Sequence, residues 1–174
     1  SFGVDHMKYV MTQNKRVKYS GYYPNQGIYN ENPSANELTL DEDFLTFEHT
    51  DGLNYINSEI SRYEDVSKLF KIQNTDKFQV NLQGGIGGGI LYPKTNAKLL
   101  GKERHDDFHV SGYGVSAKAG INLTFFKHFF IVNEIKGGYI NMNDIRTTAE
   151  STDTAQQDFF FFQKTIALGG IFRL

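Results

Sequence analysis

The stretch Gly112-Tyr113-Gly114-Val115-Ser116-Ala117-Lys118-Ala119-Gly120-Ile121-Asn122-Leu123-Thr124-Phe125 alternates residue by residue. Tyr113, Val115, Ala117, Ala119, Ile121, Leu123 and Phe125 share one face; Gly112, Gly114, Ser116, Lys118, Gly120, Asn122 and Thr124 share the other. Period-2 alternation is the mark of a strand, and here it outlasts the about five or six residues of an ordinary one. With its lead-in the segment is Phe108–Phe125, and a tight corner, Phe126-Lys127-His128, leads into Phe129–Met142. There Phe129, Ile131, Ile135, Gly137 and Tyr139 fall on one side, Glu134, Lys136 and Gly138 on the other. Two long strands, a short turn and aromatics at both ends predict a hairpin of an antiparallel, up-and-down transmembrane β-barrel.

Bulk properties narrow the alternatives. The 174 residues suffice for a single domain, 1–174. A net charge of −2 offers no electrostatic footprint for nucleic acid, and none is expected as a partner. Without cysteine there are no disulfides, thiolate metal sites or cysteine nucleophiles. No apolar run approaches the roughly 18 residues of a membrane-spanning helix. A mean hydropathy of −0.45 is compatible with a barrel, whose strands are apolar on one face only. The chain opens on Ser1-Phe2-Gly3-Val4, already in a strand pattern, so strands preceding Ser1 are expected.

Six strands are legible. Ser1–Met11 is the first, with Phe2 and Val4 opposite Gly3 and Asp5. Gln13–Thr50 reads as a polar excursion in which Val17-Lys18-Tyr19 and Leu38-Thr39-Leu40 pair. Its acidic triplet Asp41-Glu42-Asp43 lacks the ligand spacing of a calcium loop and reads as a solvated tip. Leu53–Val66 is the second strand, and Lys68–Lys77 holds a turn. Phe78–Pro93 is the third; its Gly84–Gly89 run fits neither phosphate-loop spacing and is expected to make room for a bulky neighbour across the lumen. Lys94–Asp107 and Asn143–Asp158 read as loops around the central hairpin, and Phe159–Leu174 closes the chain.

Three features favour a membrane barrel over a soluble one. The polar face is mostly Gly, Ser, Asn, Gln and Thr, suited to a crowded lumen rather than a water-washed exterior. Aromatics bracket the apolar faces at Tyr92, Tyr113, Phe125, Phe129, Tyr139, Phe162 and Phe172. Along single strands they stand about 10–12 residues apart, close to the roughly 9–11 that cross the hydrocarbon. Connections also alternate, short at the Phe126–His128 end and long at the other, as periplasmic turns and extracellular loops do.

The terminal pattern Ile166, Leu168, Gly170, Phe172, Leu174 is similar to the C-terminal targeting signal of Gram-negative barrels, though that signal usually ends in an aromatic residue. More specifically, Val4-Asp5-His6-Met7-Lys8-Tyr9-Val10-Met11, Phe47-Glu48-His49-Thr50-Asp51-Gly52-Leu53-Asn54-Tyr55-Ile56-Asn57, Leu91-Tyr92-Pro93-Lys94-Thr95-Asn96, Phe125-Phe126-Lys127-His128-Phe129-Phe130 and Lys136-Gly137-Gly138-Tyr139-Ile140-Asn141-Met142 resemble a family of small outer-membrane β-barrels of Bacteroidetes. The resemblance implies a small barrel in a Gram-negative outer membrane, and because the smallest single-chain barrels have eight strands, the six legible ones are expected to belong to a barrel of eight or more. Outer-membrane lipid and lipopolysaccharide, and other envelope proteins, are then its expected partners. It carries no defined activity.

On the lumenal face the alternation places Asp5, Glu59, Lys118, Glu134, Lys136 and Arg173. Counted from the corner, Lys118 and Glu134 come close to facing, and opposite charges in a narrow lumen should pair, because an unpaired buried charge is very costly. Such a pair reads as a plug in a bore filled by side chains rather than as a selectivity filter. Lys164 falls on the lipid face, where it must snorkel. His109 and Ser111 share a face beside His105, Asp106 and Asp107, where a lipid A-modifying enzyme would work. Strand geometry sets such residues roughly 6–7 Å apart, too far for a nucleophile and its base unless rotamers lean together. No second His completes a metal site with His105, so neither metal nor cofactor is expected. The expectation is a non-enzymatic outer-membrane barrel with long extracellular loops, an interaction or accessory subunit of an envelope assembly. A lipid A-modifying enzyme and a small-solute channel are the alternatives.

Overall fold

The computed structural model describes residues 1–18, 37–42, 44–102 and 104–172. Among these the fold is all-β. The elements are β1 (Phe2–Val10), β2 (Arg16–Lys18), β3 (Glu37–Thr39), β4 (Leu45–Asp65), β5 (Phe78–Leu91), β6 (Lys94–Leu99), β7 (His105–Phe108), β8 (Gly112–Phe125), β9 (Phe129–Arg146) and β10 (Thr154–Gly170). A short 3₁₀ turn, Ser67–Phe70, joins β4 to β5.

Every ladder is antiparallel. β6 prolongs β5 beyond Tyr92-Pro93 and pairs with the same strand, β4. β7 leads into β8 in the same way, pairing with β6 as β8 pairs with β5. The sheet is therefore a meander of six long strands, in the order β1, β4, β5–β6, β7–β8, β9, β10. β2 and β3 form a separate small hairpin.

Several strands run further than their alternation suggested. Leu45–Thr50, expected in a loop, begins β4; the expected loop Lys94–Asp107 is mostly the β6–β7 hairpin; Asn143–Arg146 and Thr154–Asp158 extend β9 and β10. The alternation in these extensions is short and interrupted, with Leu45, Phe47, Ala97, Leu99, Ile145 and Ala155 scattered among polar residues, so it does not stand out from a polar loop. Pairing with the neighbouring extension holds them, and Phe47, Ile145 and Ala155 also reach the core. Arg16–Lys18 pairs with Glu37–Thr39, each segment one residue earlier than the expected Val17-Lys18-Tyr19 and Leu38-Thr39-Leu40; Tyr19 lies outside the described residues.

The corner between β8 and β9 is a tight turn closed by His128 N–H donating to the Phe125 carbonyl, 3.0 Å. Phe126 and Lys127 both take the left-handed conformation, φ 51° and 61°, the type I′ geometry that matches strand twist. Below it Lys127 pairs with Asp76 of the neighbouring turn at 2.5 Å. This end is called lower here.

β1 and β10, the two edges, share no backbone ladder among the described residues. The sheet nevertheless curls until they meet through side chains near its upper end. The Tyr9 and Phe159 rings stack at 6.1 Å, and Gln157 donates to the Tyr9 hydroxyl at 2.5 Å. Tyr55 of β4 meets Phe161 of β10 edge-on at 6.1 Å.

Candidate functional site

The concave face has two layers, and both follow from strand parity. Towards the upper end Leu53, Tyr55, Leu91, Ile140, Met142 and Ile145 form a buried apolar core, with Met7, Phe47, Ala155, Phe159 and Phe161 against it. Gly114 and Gly138 make this packing possible. A Cβ on Gly114 would stand 2.8 Å from the Tyr55 ring, and one on Gly138 2.4 Å from both the Phe161 ring and the Val115 carbonyl. Tyr55 is fully buried, and its hydroxyl donates to the Gly114 carbonyl at 3.1 Å.

Gly84–Gly89 works differently from the sequence reading. Gly89 backs onto the β4 backbone at the Ile56 carbonyl, Gly85 onto the Ile60 carbonyl and the small Ser61 hydroxyl, and Gly87 yields to the Glu59 side chain. The room for bulky rings is at Gly114 and Gly138. The ring positions decide this, and alternation cannot locate them.

Below the apolar layer lies a chain of five charges. Asp5 of β1 accepts from Lys136 of β9 at 2.5 Å. Lys136 also reaches Glu59 of β4 at 2.8 Å. Glu59 meets Lys118 of β8 at 2.7 Å, and Lys118 meets Glu134 of β9 at 3.4 Å. Side-chain exposures lie between 7% and 19%, so the pairs are largely desolvated. Both ends are capped by amides: Asn57 donates to Asp5 at 2.9 Å and Gln83 to Glu134 at 2.7 Å. Lys136 also lies over the Tyr55 ring, 5.4 Å from its centre.

Lys118 and Glu134 are thus joined, but not as facing residues. Phe125 faces Phe129, which sets Lys118 opposite Lys136 and Gly120 opposite Glu134. The two lysines tolerate this placement because Glu59 stands between them. The bridging role of Glu59 depends on the curl of the sheet, which no count along one hairpin contains. Arg173 lies outside the described residues.

The convex face carries exposed apolar side chains, among them Val4, Ile60, Ile86, Val115, Phe160, Ile166 and Leu168. Aromatics gather at its two ends. Tyr92 stacks on Phe108 at 5.3 Å and Tyr139 packs on Phe160 at 5.2 Å at the upper end, with Tyr113 close by in register. Phe78 packs on Phe125 at 5.1 Å at the lower end, beside Phe129. Exposed Phe172 follows Ile171, whose amide bonds His128 of the lower corner. Phe160, missed in the sequence, occupies the upper band, and Phe162 sits one outward position lower. Their shared parity was visible; only the register with Tyr139 ranks them.

Above the upper band, the rim residues pair locally. His109 Nε2 bonds Asp144 at 2.8 Å, whereas the buried Ser111 hydroxyl turns to the His109 carbonyl at 3.4 Å. Asp106 pairs with Arg104 at 2.6 Å, and His105 Nδ1 bonds the Thr95 carbonyl at 3.0 Å. Asp41 caps the Phe44 amide at 2.8 Å; Asp43, of the same acidic triplet, lies outside the described residues. His49 is buried against Tyr9 and Phe47 with ring centres 5.6 and 5.3 Å away. Its Nδ1 bonds Thr95 Oγ1 at 3.1 Å while Nε2 has no partner, and burial pushes the imidazole pKa down to about 4. No protein-family model, curated protein or solved structure matches this chain.

Proposed function

We propose that the six-stranded sheet is wall of a transmembrane β-barrel in a Gram-negative outer membrane, closed by further strands between β1 and β10. We further propose that it serves as a non-enzymatic interaction or accessory subunit of an envelope assembly. The observation that carries the reading is the inverted polarity of the sheet. Its convex face is apolar and exposed from Val4 to Leu168, while charges are paired on the concave face. A soluble barrel would have the opposite arrangement, because exposed apolar patches of this extent are costly in water.

Closure by added strands is consistent with strand direction. β1 runs up and β10 down, so an even number of inserted strands keeps every neighbour antiparallel. Two would make eight, the smallest number in single-chain barrels of this kind. The extended β4–β6 and β6–β7 ladders then stand above the membrane as a scaffold for extracellular contacts. The occupied concave face favours a structural wall over an open channel. The Ser111 hydroxyl faces a carbonyl rather than an imidazole nitrogen, which gives no support to an acyl-transfer site.

The test is fractionation of cells by sucrose density, followed by gel electrophoresis with and without boiling. The reading expects the chain in the outer-membrane fraction with a heat-dependent shift in mobility. Recovery in the soluble fraction, with no such shift, sinks it. Conductance in planar bilayers separates the wall from a channel: purified protein is expected to give no steady single-channel steps.

A further inference from the structure

Above its upper aromatic band the convex face turns from apolar to charged, on the ladder of β4, β6 and β7. Thr95 and Ala97 are buried inward, so Lys94, Asn96 and Lys98 of β6 point outward. Asn96 is registered with Glu48 of β4, and Lys98 with Thr46. His105 is registered with Ala97, so one step higher Arg104 stands beside Lys98. Here opens a pocket of about 390 Å³, lined by Glu42, Thr46, Phe47, Glu48, Lys98 and Arg104 among others, in the usual range of roughly 300–1,000 Å³ for small-ligand sites. Lower on the same strand, Lys94 is taken by Asp51 at 3.1 Å and Asp106 at 3.8 Å. Lys98 has no hydrogen-bond or ion-pair partner among the described residues. Arg104 gives one amino group to Asp106 at 2.6 Å, which fixes the guanidinium and leaves its remaining N–H groups for another acceptor. We propose that this pocket binds a phosphorylated sugar of lipopolysaccharide, with the phosphate between Lys98 and Arg104 and sugar hydroxyls on Glu42 and Glu48. The inference rests on the outer-membrane reading above and names the ligand of its upper convex face.

Position selects the source of the ligand. Tyr92 stacks on Phe108 in the upper band, and such rings lie at headgroup level. Arg104 is four residues beyond Phe108, about 13 Å along the strand. At that height the outside of a barrel in this membrane meets the saccharide of the outer leaflet. The ladder neighbours of β6 are β4 and β7, so strands inserted between β1 and β10 do not adjoin it. Charge selects the chemistry. A bare phosphate is drawn to Lys98 and Arg104 but repelled by Glu42 and Glu48, and a neutral glycan leaves Lys98 unpaired. A phosphosugar answers both halves of the pocket: its ester oxygens accept from ammonium and guanidinium, and its hydroxyls donate to carboxylates. Asn96 holds one Glu48 oxygen at 2.8 Å, which orients the other for a hydroxyl. The Arg104 fork suits a phosphate better than an ammonium alone does.

The experiment follows binding of lipopolysaccharide, extracted from the cells that make the protein, to the purified folded barrel in non-ionic detergent by native mass spectrometry. A retained lipopolysaccharide is expected on the native protein. Lys98→Ala combined with Arg104→Ala should weaken its binding by more than about tenfold, and Lys98→Arg should retain it. Lys68→Ala, in the turn at the lower end, should change nothing. The same lipopolysaccharide stripped of phosphate with hydrogen fluoride should bind the native protein about as weakly as the intact form binds the double variant. The double variant should keep the heat-dependent gel shift, because both side chains are exposed; Lys98→Gln alone should already weaken binding by about threefold or more. Equal retention by native protein and double variant, or undiminished retention of the dephosphorylated form, overturns the proposal while leaving the barrel intact. Complete displacement by an equal concentration of inorganic phosphate does so too, since the site is then one for free phosphate. Recovery of the chain outside the outer-membrane fraction overturns the localisation itself, whatever the purified protein binds.

Discussion

Lys136 of β9 and Asp5 of β1 lie 2.5 Å apart, although three strands stand between theirs in the sheet. The contact spans the concavity and ties the first strand to the fifth. It also ends a chain in which three carboxylates share two ammoniums, so each lysine neutralises two partners at once. Removing a lysine therefore costs more than removing a terminal carboxylate.

Lys136→Met is expected to destabilise the fold by about 3–5 kcal/mol, because it leaves Asp5 desolvated and Glu59 with half of its partners. Adding Asp5→Leu to the same chain should recover most of that loss, since the stranded charge disappears. The measurement is urea unfolding in detergent, followed by the heat-dependent gel shift. Should the single change cost no more than about 1 kcal/mol, as for solvated pairs, the concave face is water-filled and the plug is wrong.

Glycines of opposite parity should respond differently to the same methyl group. Gly138→Ala meets the Phe161 ring and the Val115 carbonyl at 2.4 Å, so the strand itself must shift. A loss of about 1–3 kcal/mol is expected, as for other overpacked cores. Gly88→Ala faces outward with its nearest neighbour at 3.6 Å, and its effect should stay within about 0.5 kcal/mol. Comparable losses at both sites, in paired urea unfolding curves, would contradict the assignment of faces.

What the residues disclosed, and what they hid, divides along physical lines. The pairing of β8 with β9, the parity of Phe78–Leu91 and the inward set Asp5, Glu59, Lys118, Glu134 and Lys136 follow from alternation alone. Alternation acts through one strand at a time, so it carries no information about curvature. The Asp5–Lys136 and Gln83–Glu134 contacts exist only because the sheet rolls. The apolar upper layer was legible in part: Leu91, Ile140 and Met142 share parity with inward glycines and charges, a signal for a core inside the curl. The extensions Leu45–Thr50 and Lys94–Leu99 were hidden because only two apolar residues in each, Leu45 and Phe47, Ala97 and Leu99, mark the inward face among polar neighbours.

Trypsin added to intact cells should cleave at Lys15, Arg16 or Lys18, or at Arg104, and spare Lys127. The first three flank or form the small β2 hairpin, where Arg16 pairs with Glu37 while remaining largely exposed. Lys102 should be cut more slowly than Arg104. It is held by Asp153 at 2.6 Å, an ion pair that raises the lysine pKa and lowers that of the carboxylate. Lys127 belongs to the lower corner. Fragments mapped by mass spectrometry decide the orientation, and external cleavage at Lys127 would invert the barrel.

His49 gives the upper ladder a dependence on acidity whose sign can be worked out. The residue lies beyond Tyr92, where β4 pairs with β6, and is buried with Nε2 unpartnered. Burial lowers its pKa from 6.5 to about 4, so the native state resists a proton that the unfolded chain accepts. Stability from this residue is therefore constant above about pH 6.5 and falls as the pH drops towards 4, by about 1.4 kcal/mol per unit. Between pH 7.5 and pH 5.0 the native protein should lose about 2 kcal/mol more than His49→Gln, which has no imidazole to charge. Tyrosine fluorescence can follow the urea transition, because the chain contains ten Tyr and no Trp. Equal losses in the two proteins would mean that the His49 ring reaches water, and that the Tyr9–Phe47–His49 cluster opens more readily than its packing indicates.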